Sequence, residues 1–312
     1  MKIYFPDKLL PVFFTRAAQK KTLFNDYVVD LLTQLQQKIQ NEPGFDIKIE
    51  DKINLSQWII LQALTQFEKQ KITLAWTGGK DSTLILWMVR EVVEKHKLKM
   101  PHCMFINEGH VFEEITDFVK ELTQKWKLQV TEVHNHNVSS QAKKIGDPIT
   151  VAKLDEINRQ EIKRLGYNKP TFPYEPESYV GNHLMKTVAM NRFLAETKYN
   201  AVITGIRWDE QEARAHEQYF SPRGDKFTPD HMRIHPILHL TEKEIWEAIR
   251  KFKIPYCKLY KEGYRSLGAK GTTHKAGNKP AWEQDFDKVP ERAGRRQDKE
   301  GIMANLRKLG YM

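Results

Sequence analysis

The chain has 312 residues, 40% of them hydrophobic, seven tryptophans and a formal net charge of +10. That length suits one large domain or two ordinary ones, and the composition excludes a disordered polymer. No run approaches the ~18 apolar residues of a membrane span, and Pro6 and Pro11 interrupt the apolar N-terminus, so a mature cytoplasmic protein is expected. Cys103 and Cys257, the two cysteines, lie in apolar surroundings and read as buried thiols; two cannot build a four-cysteine zinc or iron–sulfur site. The positive charge is spread along the chain, which fits a basic surface with a local excess for a polyanionic small substrate.

Residues 1–53 read as an N-terminal helical arm, with Leu23, Tyr27, Leu31, Leu35 and Ile39 at helical spacing. Asn-Glu-Pro-Gly at 41–44 breaks that pattern, and a second helix is expected to start at Asn54 or Ser56. Strands then alternate with helices. Strands are expected at 72–76, 102–107, within 128–135 and at 200–206, and helices after Asp81, over 111–126 and over 182–197. This alternation predicts an α/β fold, a doubly wound and mostly parallel sheet covered on both faces, spanning 54–260. The proline-rich stretch 135–180 reads as a partly helical lid or insertion. Thr241 caps a predicted helix over 242–252, and 261–312 forms a basic C-terminal tail with a last helix near 299–309.

Between the first strand and helix stands Thr77-Gly78-Gly79-Lys80-Asp81-Ser82. Glycines let a phosphate approach the unpaired N–H groups of a helix N-terminus, and hydroxyls and a lysine add donors and charge. The spacing satisfies neither the Walker loop nor the G-x-G-x-x-G dinucleotide fingerprint.

This hexapeptide resembles the Ser-Gly-Gly-x-Asp-Ser pyrophosphate loop (PP-loop) of the adenine-nucleotide α-hydrolase-like enzymes, with Thr77 for the usual Ser. The resemblance implies ATP bound through Trp76, Thr77, Gly78, Gly79, Lys80 and Ser82, cleavage between its α and β phosphates, and Asp81 holding Mg2+. Further stretches resemble the phosphoadenylylsulfate reductase and sulfate adenylyltransferase group. Asn107-Glu108-Gly109 stands where that group has Asp-Thr-Gly, and by analogy Ile106 meets the adenine edge. The segment 204–215 resembles the Gly-x-Arg-x-Asp-Glu-x-x-x-Arg-Ala of the catalytic subunit of bacterial sulfate adenylyltransferase. It makes Gly205 and Arg207 ATP contacts and Arg207 and Arg214 oxyanion ligands, with Asp209 and Glu210 orienting them. The match at 232–269 places Arg265 and Ser266 near the phosphates, with Tyr264 packing. The tail resembles Glu-Arg-x-Gly-Arg-x-x-Asp, putting Arg292 on the oxyanion and Arg295 on ATP, with Gly294 and Asp298 also matching.

The resemblance thus implies a nucleotidyltransferase using ATP and Mg2+, with Lys80, Asp81, Arg207 and Arg265 as catalytic residues and sulfate as acceptor. A GTPase partner subunit follows from that family, and a homo-oligomer is compatible with it. The rival is the FMN adenylyltransferase (FAD synthase) branch, which 233–268 also resembles. Sulfur transfer of the reductase type is disfavoured because Ala269 stands where cysteines would follow. tRNA thiolation lacks its usual cysteine pair or RNA-binding domain, leaving nucleic acid a weak expectation, and a non-catalytic adenine-nucleotide sensor is the remaining reading.

Overall fold

The computed structural model describes residues 48–67, 71–210, 214–289 and 291. The expected N-terminal arm and the tail motif, with Arg292, Gly294, Arg295 and Asp298, lie outside them.

Helix α1 (Ile49–Gln66) begins ahead of Asn54 and Ser56, the caps expected from the sequence. Burial explains the early start: Ile49, Ile53, Ile60 and Ala63 continue one apolar stripe, and Glu50 and Asp51 put negative charge at the positive end of the helix dipole. The strands are β1 (Ile72–Ala75), β2 (His102–Ile106), β3 (Val130–Val133), β4 (Pro148–Thr150), β5 (Thr171–Pro173), β6 (Ala201–Ile203), β7 (Phe220–Arg223) and β8 (His231–Ile234). Helices α2 (Lys80–His96), α3 (Glu113–Lys125), α4 (His136–Ser139), α5 (Glu156–Arg164), α6 (Tyr179–Asn182), α7 (Ala189–Thr197) and α8 (Glu242–Lys251) intervene.

The main sheet has the order β3-β2-β1-β6-β8-β7, parallel except for β7 at its edge. The doubly wound, mostly parallel sheet expected from the sequence is therefore present. β7 and β8 are additions to it. β8 alternates His231 and Arg233 with Met232 and Ile234, so its composition hides a buried strand, and Pro222 suits β7 to an edge.

Alternation along the strands divides the core in two. Ile72, Leu74, Cys103, Phe105, Ala201 and Ile203 face one cluster with α1, α2, α3 and α8. Ala75, Met104, Ile106 and Val202 face another with Met190, Phe193 and Leu194 of α7. Burying a side chain such as Leu84, Leu86 or Met88 of α2 is worth about 1.5–3 kcal/mol, so the N-terminus of α2 rests on a firmly packed element. The 135–180 insertion builds a third cluster, with Ile149, Leu154, Ile162, Phe172, Leu184 and Met185. It contains helices and the antiparallel pair β4–β5. Between α6 and α7 the helix widens into a π-helical stretch, His183–Val188, a local form frequent near functional sites.

Both cysteines are buried free thiols, and burial raises their pKa, to about 12 for Cys103 and about 11 for Cys257.

Two buried histidines make stability depend on pH. Burial lowers His231 and His239 from 6.5 to about 4, while each ring is hydrogen-bonded, His231 to the Pro229 carbonyl and His239 to the Lys52 carbonyl. The unfolded chain takes up these protons first, so their contribution is complete above about pH 6.5 and is lost as pH falls toward 4. At pH 5 each histidine costs roughly 2 kcal/mol. Thermal unfolding at pH 7.5 and 5.0 should show this loss, and His239→Gln should shrink the difference between the two.

Candidate functional site

Strand β1 leads to β2 and β3 on one side of the sheet, and the chain then returns to place β6 on β1's other side. The crevice beyond the carboxyl ends of β1 and β6 is the place where open α/β sheets bind ligands. The two loops that resembled nucleotide-binding segments meet there: Thr77–Ser82 after β1 and Thr204–Arg207 after β6.

Gly78 has φ +73, and a Cβ on it would lie 2.9 Å from Ile115 Cγ2, so only glycine suits this turn against α3. The sequence reading had both glycines clear space for a phosphate; of the two, Gly79 lines the crevice while Gly78 faces α3. Gly79 is the N-cap of α2 and offers no side-chain acceptor. A helix started in this way carries first-turn N–H groups and a positive dipole end suited to an anion. Ser82 closes the loop, its Oγ accepting from Thr77 N at 3.2 Å and donating to Gly79 O at 3.2 Å. Tyr260 Oη accepts from Lys80 N at 2.9 Å. Gly205 allows the β6 loop to approach, since a Cβ there would be 3.2 Å from Ser82 N.

The charges form one buried network. Lys80, 2% exposed, reaches the Glu291 carboxylate, with Asp81 Oδ2 at 3.3 Å and Glu242 Oε1 at 3.8 Å. Arg207, 1% exposed, donates from Nη1 to Asp81, from Nη2 to Glu291 and from Nε to Asp209 Oδ1 at 2.8 Å. Asp209 Oδ2 accepts from Glu242 N at 2.7 Å and so ties this loop to the start of α8. Burial by itself would lower the pKa of Lys80, but Asp81, Glu291 and Glu242 raise it well above its ordinary value. Burial likewise opposes ionisation of Glu291, yet Lys80 and Arg207 hold it below the usual carboxylate range. At neutral pH the network is ionised at both residues.

Thr77, Gly79, Lys80, Asp81, Ser82, Ile106, Gly205, Arg214 and Ser266 line one crevice. Three expected residues turn elsewhere. The Trp76 indole is buried in the core and donates to Thr83 Oγ1 at 3.1 Å. Arg265 faces Glu242, donating to both carboxylate oxygens, and its Nη1 donates to the Asp285 and Val289 carbonyls. Its guanidinium braces the wall of the site and does not line the crevice. Arg207, expected to bind an anion from outside, is met by carboxylates of the chain itself. Arg214 lines the crevice paired with Glu210. Tyr264 packs edge-on against Phe112, as expected.

One Asp81 oxygen takes Arg207 and the other lies beside Lys80, so a magnesium ion on this carboxylate would have to compete with both cations.

The sequence reading missed Lys186, Thr204, Tyr260 and Glu291 as crevice residues. Lys186 comes from the π-helical stretch and pairs with Glu108 at 2.8 Å. Glu291 begins the Glu-Arg-x-Gly-Arg segment, where the sequence reading gave roles to the arginines and none to the glutamate.

Removing Arg265 should show up in stability. Arg265→Ala leaves Glu242 buried without its fork, a loss of about 3–5 kcal/mol. Chemical denaturation measures it, and an unchanged midpoint would contradict the bracing role.

Residues 71–275 match the phosphoadenosine phosphosulfate reductase domain. The chain belongs to that family. Among relatives, a probable FAD synthase of Caenorhabditis elegans is 25% identical over 234 residues, covering 73% of this chain and 35% of that protein. A sulfate adenylyltransferase subunit 2 of Rhizobium tropici is 23% identical over 252 residues, covering 73% and 68%. The chain thus spans only about a third of the nematode relative. In three dimensions the Candida glabrata FMN adenylyltransferase, in complex with FAD and inorganic pyrophosphate, matches with TM-score 0.54 and 18% identity over 91% of each chain, a likeness of fold. The sequence relatives thus include proteins named as FAD synthase and proteins named as sulfate adenylyltransferase subunit 2. Among the described residues no helix is long and apolar enough to cross a membrane.

Proposed function

We propose that the crevice binds ATP with its departing phosphates on Gly79–Ser82 and transfers the adenylyl group to an oxyanion, releasing pyrophosphate. The observation that carries this reading is the Gly79-started helix α2, with Lys80 buried at its first turn, at the switch point of the sheet. An acceptor oxygen attacks the α-phosphorus, the bond from that phosphorus to the bridging oxygen breaks, and pyrophosphate carries away the electron pair. No side-chain nucleophile is required. Positioning and charge neutralisation supply the acceleration, with Lys80 and the α2 dipole acting on the leaving phosphates. Ile106, at the end of β2, offers its main chain to the adenine.

The first reading of the acceptor is sulfate, supported by the 204–215 segment, the tail motif and the bacterial relatives, which by name are one subunit of their enzyme. A partner subunit is the corresponding expectation. The second reading, FMN, is supported by the eukaryotic relatives and by the 91% coverage of the yeast fold match. Pyrophosphate release from ATP, assayed with sulfate and with FMN as acceptor, decides between them. Release with FMN alone overturns the sulfate reading, and release with neither removes both.

A further inference from the structure

Glu291 lies far along the chain from its partners, yet it lines the same crevice. One oxygen meets Lys80 Nζ and the other Arg207 Nη2, and the side chain is 10% exposed. These two cations belong to the two loops that define the site, and each is almost fully buried. We propose that Glu291 is an internal occupant of the oxyanion subsite: its carboxylate holds the place of a substrate phosphate, and the substrate enters by exchange with it. The inference rests on the nucleotide reading above and adds to it the position of one phosphate and the event that admits it.

The other charges support exchange over a permanent bridge. Glu242 already has Arg265, which meets both its oxygens, and Asp209 is committed to Arg207 Nε and to the first N–H of α8. Asp81 pairs with Lys80 and Arg207 through its own two oxygens, separately from Glu291. Withdrawing Glu291 alone therefore releases one donor on Lys80 and one on Arg207, both facing the same space. A phosphate offers two oxygens to such a pair just as a carboxylate does, and adds charge. Glu291 also follows closely on an anchored point, since Arg265 holds the Asp285 and Val289 carbonyls. The carboxylate can leave while that anchor stays in place. Its ionisation at neutral pH makes it a charged competitor for an incoming anion.

Calorimetric titration of the full chain with inorganic pyrophosphate, and separately with AMPCPP, tests this in the wild type, Glu291→Gln and Glu291→Ala. Losing the competing charge should tighten pyrophosphate binding about tenfold in both variants, the scale of one charged hydrogen bond. Equal or weaker binding in the variants overturns the inference. The wild-type protein gives an independent readout that no folding defect can obscure. In its pyrophosphate complex, solved by crystallography, Glu291 should have left Lys80 and Arg207; if it still bridges them, the inference falls. Should both ligands bind all three proteins equally, the nucleotide reading stands and exchange alone fails. Should neither ligand bind any of them, both fail.

Discussion

Lys80→Met is expected to reduce pyrophosphate release by at least about a hundredfold, the usual effect of deleting one preorganised charge donor from a reacting phosphate or oxyanion. It should also destabilise the fold, because Lys80 is buried against Asp81, Glu242 and Glu291. Breaking a buried ion pair from one side costs about 3–5 kcal/mol, since the remaining carboxylates stay desolvated. The direction with pH separates this from a packing defect. Without the lysine the carboxylates hold protons more tightly, so lowering the pH neutralises them in the variant first and narrows its stability deficit. A packing defect would keep the deficit constant. Thermal unfolding at pH 7.5 and 5.5, beside a pyrophosphate assay, provides both readings, and full activity in the variant would remove Lys80 from the chemistry.

Gly205→Val should affect the site with a smaller effect on the fold. Even a single Cβ at Gly205 would stand 3.2 Å from Ser82 N and 3.3 Å from Asp81 Cβ, and valine adds two methyl groups beyond that point. Overpacking of this kind costs about 1–3 kcal/mol. The strain falls on the first turn of α2, which places Lys80 and the loop N–H groups. A displacement near 1 Å can cost about a hundredfold in rate, so turnover should fall by roughly that factor while the protein still melts cooperatively. Denaturant unfolding and steady-state kinetics on the same preparation check the two halves. Unaltered kinetics would mean that the approach of the β6 loop to α2 does not set the geometry of the site.

The central loop was legible in the sequence because local chemistry dictates it: two glycines between an apolar strand and an amphipathic helix mark a tight turn that leaves the first-turn N–H groups of the helix open. The alternation of strands and helices was legible for a similar reason, since β1, β2 and β6 are nearly continuous apolar runs. β8 was not. It is paired on both sides and buried, yet spells His-Met-Arg-Ile, because its polar side chains find partners within the segment, His231 in the Pro229 carbonyl and Arg233 in the His231 ring. The early start of α1 was hidden by Asn54 and Ser56, residues whose capping propensity lost to the burial of Ile49 and Ile53.

The arginines taught the complementary lesson. Sequence pattern marked Arg207 and Arg265 as cations awaiting an anion, but it cannot show which carboxylates the fold brings to them. Glu242 lies on the first turn of α8 and Glu291 far downstream, and their meeting with Arg265, Lys80 and Arg207 is a product of tertiary packing alone. Arg265 consequently reads as a brace, and Arg207 as a cation whose anion is already in place. The tail arginines Arg292 and Arg295 lie outside the described residues, and their contacts with the oxyanion and ATP remain expectations of the resemblance.

Cleavage of ATP between its α and β phosphates is the central proposal for the crevice. ATP labelled at the α-phosphorus in one reaction and at the γ-phosphorus in another, each followed to products in the presence of sulfate or FMN, tests it directly. The γ label should leave as pyrophosphate while the α label moves onto the acceptor. Appearance of the γ label as orthophosphate or on the acceptor, with ADP formed alongside, would contradict it.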